Sequence, residues 1–156
     1  MNIELQRVSV DEAPELHRLQ VQGFAALLAK YQDFDTNPGA ETVERVRERF
    51  EYSDWVDQYW IQLGTEKIGY IRIQRKENNV YRLSQMFILP AFQGQGYAQQ
   101  TIRQAEEKHP QARTWELDTI KQEPKLRHLY EKMGYRLASS EHCIRDGMDL
   151  VDYVKP

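Results

Sequence analysis

LSQMFILPAFQGQGYAQQTIRQAEEK, residues Leu83 to Lys108, is the stretch around which the whole chain is organised. A short apolar run stops at Pro90, a turn containing two glycines follows, and a helical pattern begins after the turn. The small residues Gly94, Gly96 and Ala98 leave little side-chain bulk over the backbone, so consecutive N–H groups can turn toward one ligand at a helix N-terminus. The stretch therefore predicts a phosphate-binding loop that needs no lysine.

Composition is typical of one ordinary soluble domain. The chain has 156 residues, enough to bury a two-layer or three-layer core, and 40% of them are hydrophobic. No apolar run approaches the roughly 20 residues that a membrane span needs. With 21 basic against 24 acidic side chains the formal charge is −3, which gives no electrostatic footprint for DNA or RNA. We expect a single domain over residues 1–156, with neither a membrane nor a nucleic-acid partner.

Cysteine and histidine usage argues against disulfides and metals. Cys143 is the single cysteine, which fits a reducing cytosol and favours a cytoplasmic location, and we interpret it as a small, half-buried filler. The four histidines show neither His-x-x-x-His nor His-Glu-x-x-His spacing, so we expect no metal site. The chain also lacks a Gly-x-Ser-x-Gly elbow and the third glycine of a dinucleotide fingerprint, which disfavours hydrolases and dehydrogenases.

Hydrophobic periodicity predicts the element order β-α-α-β-β-β-α-β-α-β-β. The predicted strands cover residues 3–8, 60–63, 68–73, 80–89, 114–119, 135–139 and 148–153, and the second helix covers residues 41–50. A helical crossover separates the strands at 80–89 and 114–119, so these two strands should run parallel. Along the first of them, Tyr81, Leu83, Gln85 and Phe87 are expected to share one face of the sheet.

Two motifs in this order resemble those of the GNAT superfamily of N-acetyltransferases. Gln93-x-x-Gly96-x-Ala98 is similar to the family's acyl-CoA pyrophosphate loop, Arg/Gln-x-x-Gly-x-Gly/Ala, and the segment from Tyr130 to Tyr135 is similar to its late motif, Tyr-Glu-Lys-x-Gly-Phe/Tyr. The resemblance covers nearly the whole chain and is weakest over residues 32–55. It implies an α/β (α+β) fold: a three-layer αβα sandwich around a mixed, mostly antiparallel sheet of six or seven strands, with one parallel pair flanking the cofactor cleft.

The same resemblance implies an activity. Acetyl would pass from acetyl-CoA, the co-substrate, to a primary amine of a small molecule or a peptide, by direct attack in a ternary complex and without acylation of Cys143. Such a reaction must deprotonate the ammonium, stabilise an oxyanion and discharge a thiolate. The alternatives are a non-catalytic domain that senses acyl-CoA or joins a partner, and an acyl group other than acetyl. Both a monomer and a homodimer are compatible with the sequence.

The cofactor-binding residues implied by the resemblance lie in the loop and in the strand before it. In the loop they are Gln93, Gly94, Gln95, Gly96, Tyr97 and Ala98. On the strand they are Met86, Phe87 and Ile88, which would bind the pantetheine arm and the thioester carbonyl through main-chain groups. We expect the side chains of these three residues to lie in the core.

The catalytic candidates are Tyr130, Asp118 and Glu116. Tyr130 matches the family's proton donor to the leaving sulfur, and its phenol, with a reference pKa of about 10, is protonated at neutral pH. The alternative role for its ring is packing in the apolar stripe of the last helix. Many members carry a basic carboxylate on the strand before the loop, but here that strand lacks one. Asp118 and Glu116 on the next strand are then the candidate bases, and a water chain or a solvated structural role remains open.

Two further expectations concern the walls of the cleft. The loop after the first helix holds Tyr31, Phe34 and Asp35, whose aromatic surface and negative charge would suit a small cationic amine; an ordinary polar connector is the alternative. Glu123 stands where the family often has an asparagine, seven residues before the tyrosine, that helps to hold the cofactor. An acid there also suits the positive end of the last helix.

Overall fold

Seven strands form one mixed sheet in the order β1-β2-β3-β4-β5-β7-β6. The structure is a computed structural model that describes residues 2–156. Its strands are β1 (Glu4–Arg7), β2 (Val56–Leu63), β3 (Glu66–Arg75), β4 (Val80–Ile88), β5 (Thr114–Ile120), β6 (Arg136–Arg145) and β7 (Met148–Lys155). Every neighbouring pair is antiparallel except β4 and β5. The predicted parallel pair is therefore confirmed.

Helices cover both faces of the sheet and create the predicted three layers. They are α1 (Ala13–Tyr31), α2 (Val43–Glu48), α3 (Tyr97–Lys108) and α4 (Pro124–Lys132). Helices α1 and α2 pack on one face over a buried cluster that includes Trp60, Tyr70 and Phe87. Helices α3 and α4 pack on the other face over a larger cluster that includes Ile102 and Leu117. Both clusters reach β4, so this strand is fixed in place from both sides.

Helix α1 lies unusually close to β4 because it carries glycine at the contact. A Cβ atom on Gly23 would stand 2.5 Å from the ring of Phe87, far inside the distance at which two carbon atoms attract each other. The ring of Phe24, one residue further on, packs edge-on against Phe87 at 5.7 Å. Helix α1 is thereby pressed against the strand that leads into the glycine loop.

Strands β4 and β5 pair only at their beginnings and then diverge. Val80–Arg82 pair with Thr114–Glu116, and no further ladder joins the two strands within residues 2–156. From Leu83 onward, the main-chain groups of β4 that point toward β5 have no strand partner. An open fork therefore lies between the two strands, and its β4 edge can pair with an extended ligand.

A β-bulge at Ser84 overturns the predicted faces of β4. Arg72 pairs with Gln85 and Ile73 pairs with Leu83, so Ser84 has no partner on β3. Before the bulge, Leu83 packs in the cluster under α3 and α4. After it, Gln85 bonds to helix α1. The prediction that Tyr81, Leu83, Gln85 and Phe87 share one face was therefore wrong, because the extra residue shifts the alternation by one position.

Several predicted boundaries were also wrong. Helix α2 covers only residues 43–48 and continues as a 3-10 turn at Arg49–Tyr52, and the β6–β7 hairpin is much longer than predicted. Strand β6 is an edge strand with mostly exposed side chains, so its sequence has no clear alternation. Cys143 lies on this strand and is exposed rather than half-buried. Over residues 2–156, none of the helices has the length and hydropathy of a bilayer-crossing segment.

Candidate active site

The glycine loop follows β4 directly and leads into α3. A 3-10 turn at Pro90–Phe92 comes first, and the side-chain amide of Gln93 then donates to the carbonyl oxygen of Ile88 at 2.8 Å, which ties the loop to the end of the strand. Gly94 and Gly96 have φ angles of +77° and +84°, a left-handed conformation that favours glycine. A Cβ at either position would meet no atom within 4 Å, so the space over the loop is open.

Except for the N–H of Gln93, which donates to the carbonyl of Pro90 at 3.3 Å, the main-chain amides of this loop are free to bind a ligand. The N–H groups of residues 94–99 donate to no acceptor anywhere in residues 2–156, and the helical hydrogen bonds of α3 begin with Gln100, whose N–H donates to Gly96 at 3.2 Å. The positive end of the α3 dipole lies at the same place. Consecutive donors at a helix N-terminus are the arrangement that binds phosphate groups.

The strand residues before the loop have their side chains in the core. Phe87 packs in the cluster under α1, whereas Ile88 and the partly buried Met86 pack in the cluster under α3 and α4. The side chains of Phe87 and Ile88 are buried, which leaves the main-chain groups of these two residues for contacts at the edge of β4. This is the orientation in which we expected them to act, through the backbone alone.

Tyr130 projects from α4 with an unpartnered hydroxyl. The residue is half-buried, and its ring packs edge-on against Tyr135 with the ring centroids 6.1 Å apart. Its phenol oxygen has no hydrogen-bond partner in the part of the chain that the structure describes. Burial raises the pKa of Tyr130 to about 12, and the negative charge of Asp118 adds to the shift. At neutral pH the residue is thus a protonated donor whose hydrogen bond is still unused.

Both candidate bases are held in ion pairs. Asp118 lies 2.6 Å from the guanidinium of Arg82, and Glu116 lies 2.5 Å from the ammonium of Lys76. Arg82 is the last residue of β4 that pairs with β5, and Asp118 lies just beyond the end of this pairing on β5, so the ion pair joins the two strands at the base of the fork. Sequence analysis did not predict this pair. The signal that could have found it is the opposite charge of two residues near the start of neighbouring parallel strands.

The predicted substrate-binding residues at and after the end of α1 have different surroundings. The hydroxyl of Tyr31 donates to the carboxylate of Glu123 at 2.5 Å, so Tyr31 faces the start of α4. Phe34 is 62% exposed, and Asp35 is exposed as well. The side chain of Arg145, at the tip of the β6–β7 hairpin, donates to the carbonyl of the first residue after α1. This loop and the tip of the hairpin are therefore in contact.

Glu123 joins α1 to α4 instead of capping the last helix. Its carboxylate accepts from Lys30 at 2.6 Å and from Tyr31, and it makes no capping hydrogen bond to α4. Burial by itself would raise the pKa of Glu123, but the hydrogen bonds from Lys30 and Tyr31 outweigh it, and the pKa lies below the ordinary value of 4.5. The residue that departs from the family's asparagine is thus a contact between two helices.

Replacing this carboxylate tests the contact through its pH dependence. A group with a lowered folded-state pKa stabilises the fold above its ordinary pKa, and this stabilisation is lost as the pH falls through the folded-state pKa. We expect Glu123→Gln to melt at a lower temperature than wild type at about pH 7, and the difference to shrink by about pH 3. Thermal unfolding at both pH values measures this. Glu44→Gln, at an exposed position on α2, is the matched control, and an equal difference at both pH values would contradict the contact.

Comparison with known proteins identifies the family. Residues 20–156 match the family model described as an acetyltransferase (GNAT) domain. The chain belongs to the GNAT acetyltransferases. It is thus an acetyltransferase that uses acetyl-CoA as co-substrate. No curated protein matches this GNAT acetyltransferase in sequence.

Solved structures share the fold of this GNAT acetyltransferase at low sequence identity. An acetyltransferase from Thermus thermophilus has a TM-score of 0.79 at 20% identity, over 100% of this chain and 97% of that one. A spermidine N-acetyltransferase from Vibrio cholerae, in complex with CoA and spermine, has a TM-score of 0.77 at 17% identity, over 98% and 94%. A Salmonella typhimurium enzyme that modifies the N-terminal serine of ribosomal protein L7/L12 has a TM-score of 0.74 at 15% identity, over 99% and 95%.

Proposed function

We propose that this chain transfers acetyl from acetyl-CoA to a primary amine of a small molecule or a peptide, by direct attack in a ternary complex. The observation that carries the proposal is the run of unpartnered amides from Gly94 to Gln99 at the head of α3, beside the open fork of β4 and β5. These amides would bind the diphosphate of the co-substrate. The main-chain groups of Met86, Phe87 and Ile88 would hold the pantetheine arm along the unpaired edge of β4.

Tyr130 would complete the reaction as the general acid. Its hydroxyl is protonated at neutral pH and has no other hydrogen bond to make, so it can give its proton to the departing sulfur. A positioned general acid of this kind typically contributes about 10²–10⁴-fold to the rate. The proton that leaves the phenol is regained from solvent between turnovers.

Asp118 is the base that we favour over Glu116. Its charge acts on the hydroxyl of Tyr130, so the two groups share one region, and its pair with Arg82 holds the carboxylate in place across the fork. Glu116 already forms an ion pair with Lys76 and a longer one with Arg82. In this proposal Asp118 accepts a proton from the incoming ammonium, directly or through one water molecule.

The acceptor would enter between the loop after α1 and the β6–β7 hairpin. Tyr31, Phe34 and Asp35 would then line the entrance, with the exposed ring and carboxylate of the last two toward the approaching amine. Among the structural neighbours, one acts on spermidine and another on a protein N-terminus, which supports an amine acceptor for this chain.

The proposal is tested by incubating the protein with acetyl-CoA and a library of primary amines and short peptides. The expected result is release of free CoA thiol only when a competent amine is present, with the acetylated amine detected by mass spectrometry in equal amount. Binding of acetyl-CoA without transfer to any amine would contradict the proposal and would favour the sensor alternative. Acetyl retained covalently on the protein would contradict direct attack.

A further inference from the structure

A buried polar cluster lies between the sheet and helix α1. Gln20 is only 1% exposed, and its amide donates to the carbonyl of Pro38 and to the carboxylate of Glu41, both at 2.7 Å. The side-chain amide of Gln85, on β4, donates to the oxygen of Gln20 at 3.0 Å. The cluster therefore links the connection between α1 and α2 to the strand that forms one edge of the fork.

The positive charge in this cluster exceeds the negative charge. Glu41 accepts two hydrogen bonds from Arg49, so its carboxylate is already paired. Arg72 on β3 feels the charges of both residues, yet no carboxylate of residues 2–156 lies within the 4.0 Å of an ion pair with it. Burial lowers the pKa of Arg72. Two guanidinium groups thus share one carboxylate, and a buried cation without its own anion costs free energy.

Two polar atoms in the cluster have no partner. The Nη1 atom of Arg72 and the Oε1 atom of Gln85 are both buried, and neither makes a hydrogen bond within residues 2–156. Arg72 and Gln85 are directly opposed in the β3–β4 register, and Gln85, 7% exposed, follows the bulge at Ser84. One cationic donor and one neutral acceptor therefore stand side by side next to the fork. A water molecule could satisfy the hydrogen bonds but not the excess charge.

We infer that Arg72 and Gln85 bind an acceptor that carries a carboxylate as well as an amine. The carboxylate pairs with the guanidinium of Arg72, and an N–H of the acceptor donates to the amide oxygen of Gln85. Arg72 as a residue is partly exposed, but its Nη1 atom and the side chain of Gln85 are buried, so the acceptor would reach these two groups from the fork beside β4. The inference rests on the proposed acetyl transfer and narrows its acceptor to the class of amino acids and related amino carboxylates.

Matched pairs of amino acids and their amides test this, because the two compounds of each pair differ only in the carboxylate. We expect the wild type to acetylate the preferred acid with a kcat/KM at least about tenfold above that of its amide, as expected for a charged hydrogen bond. Arg72→Met keeps an unbranched apolar stem without the guanidinium, so it should remove this preference by lowering kcat/KM for the acid to that of its amide. Arg103→Met, at an exposed position on α3, removes the same charge elsewhere and should keep the preference.

Calorimetric binding of the same acids and amides in the presence of CoA separates this inference from the proposed function. Equal rates for acid and amide, or a preference that survives Arg72→Met, would rule out a carboxylate-binding site at Arg72 but would not contradict the transferase function. If the acid binds in a way that depends on Arg72 but no amine is acetylated, the transferase function would be contradicted and the carboxylate-binding site would stand.

A stability measurement tests, without any ligand, whether the buried cluster has too little negative charge for its two guanidinium groups. Gln85→Glu places a carboxylate opposite Arg72 but loses the hydrogen bond that Gln85 donates to Gln20. Gln85→Met loses the same bond without adding charge, so we expect Gln85→Glu to melt at a higher temperature than Gln85→Met and to lose the preference for the acid. A melting temperature equal to or below that of Gln85→Met would contradict the excess of positive charge in the cluster.

Discussion

Gly96→Glu is expected to weaken coenzyme A binding by more than about a hundredfold, where each tenfold step corresponds to about 1.4 kcal/mol. The φ angle of +84° at this position forces any other residue into a left-handed conformation that costs about 1–2 kcal/mol. The new side chain also enters the open space over the loop and brings a negative charge to the amides that we assign to the diphosphate.

Two controls separate these effects. Gly64→Glu adds the same side chain at a glycine with a φ angle of +63° and equally open surroundings, in the β2–β3 turn. It should bind coenzyme A like the wild type. Gly96→Asn introduces a residue that tolerates the left-handed conformation and carries no charge, so its affinity should fall in between. Titration calorimetry measures all three variants, and an unchanged affinity for Gly96→Glu would remove the loop from the site.

Tyr130→Phe is expected to lower kcat by about 10²–10⁴-fold while coenzyme A affinity stays within about twofold of wild type. The change removes only the hydroxyl, which has no hydrogen-bond partner in residues 2–156, so the ring keeps its packing against Tyr135. The fold should lose little stability for the same reason. Single-turnover rates with a competent amine, together with calorimetry of coenzyme A binding, measure the two quantities separately.

The matched control is Tyr135→Phe, which removes a buried hydroxyl that bonds to Glu106 at 3.0 Å. This variant should melt at a lower temperature but retain most of its rate. Since burial raises the pKa of Tyr130 to about 12, the wild-type kcat should also show no alkaline decline from this phenol below about pH 10. Equal rates for Tyr130→Phe and wild type would reduce the tyrosine to a packing residue.

The layers of the fold could be predicted from the sequence because local patterns determine them. A helix between the strands that became β4 and β5 required a parallel pair, and the amphipathic helices required a sheet to cover. The bulge at Ser84 could not be predicted, since it depends on the register between β3 and β4 and leaves no mark in the sequence. That single residue decides which side chains of β4 face α1, and it brings Gln85 opposite Arg72.

The candidate site was predictable to the extent that it consists of backbone. Two glycines and a following helix are enough to predict the loop at residues 93–98. The side-chain partners could not be predicted, because they join distant parts of the chain. Glu123 meets Lys30 and Tyr31 across separations of 93 and 92 residues, and Asp118 meets Arg82 across 36. Charge alone does not reveal which of many opposite charges will be neighbours.

The central claim is that the free amides at residues 94–99 bind the diphosphate of coenzyme A. Amide NMR spectra of the ¹⁵N-labelled protein, recorded with coenzyme A and separately with pantetheine, which lacks the diphosphate, test it most directly. We predict large shifts of these amide signals with coenzyme A and much smaller shifts with pantetheine. Signals of residues 94–99 that stay in place while coenzyme A is bound would contradict the claim.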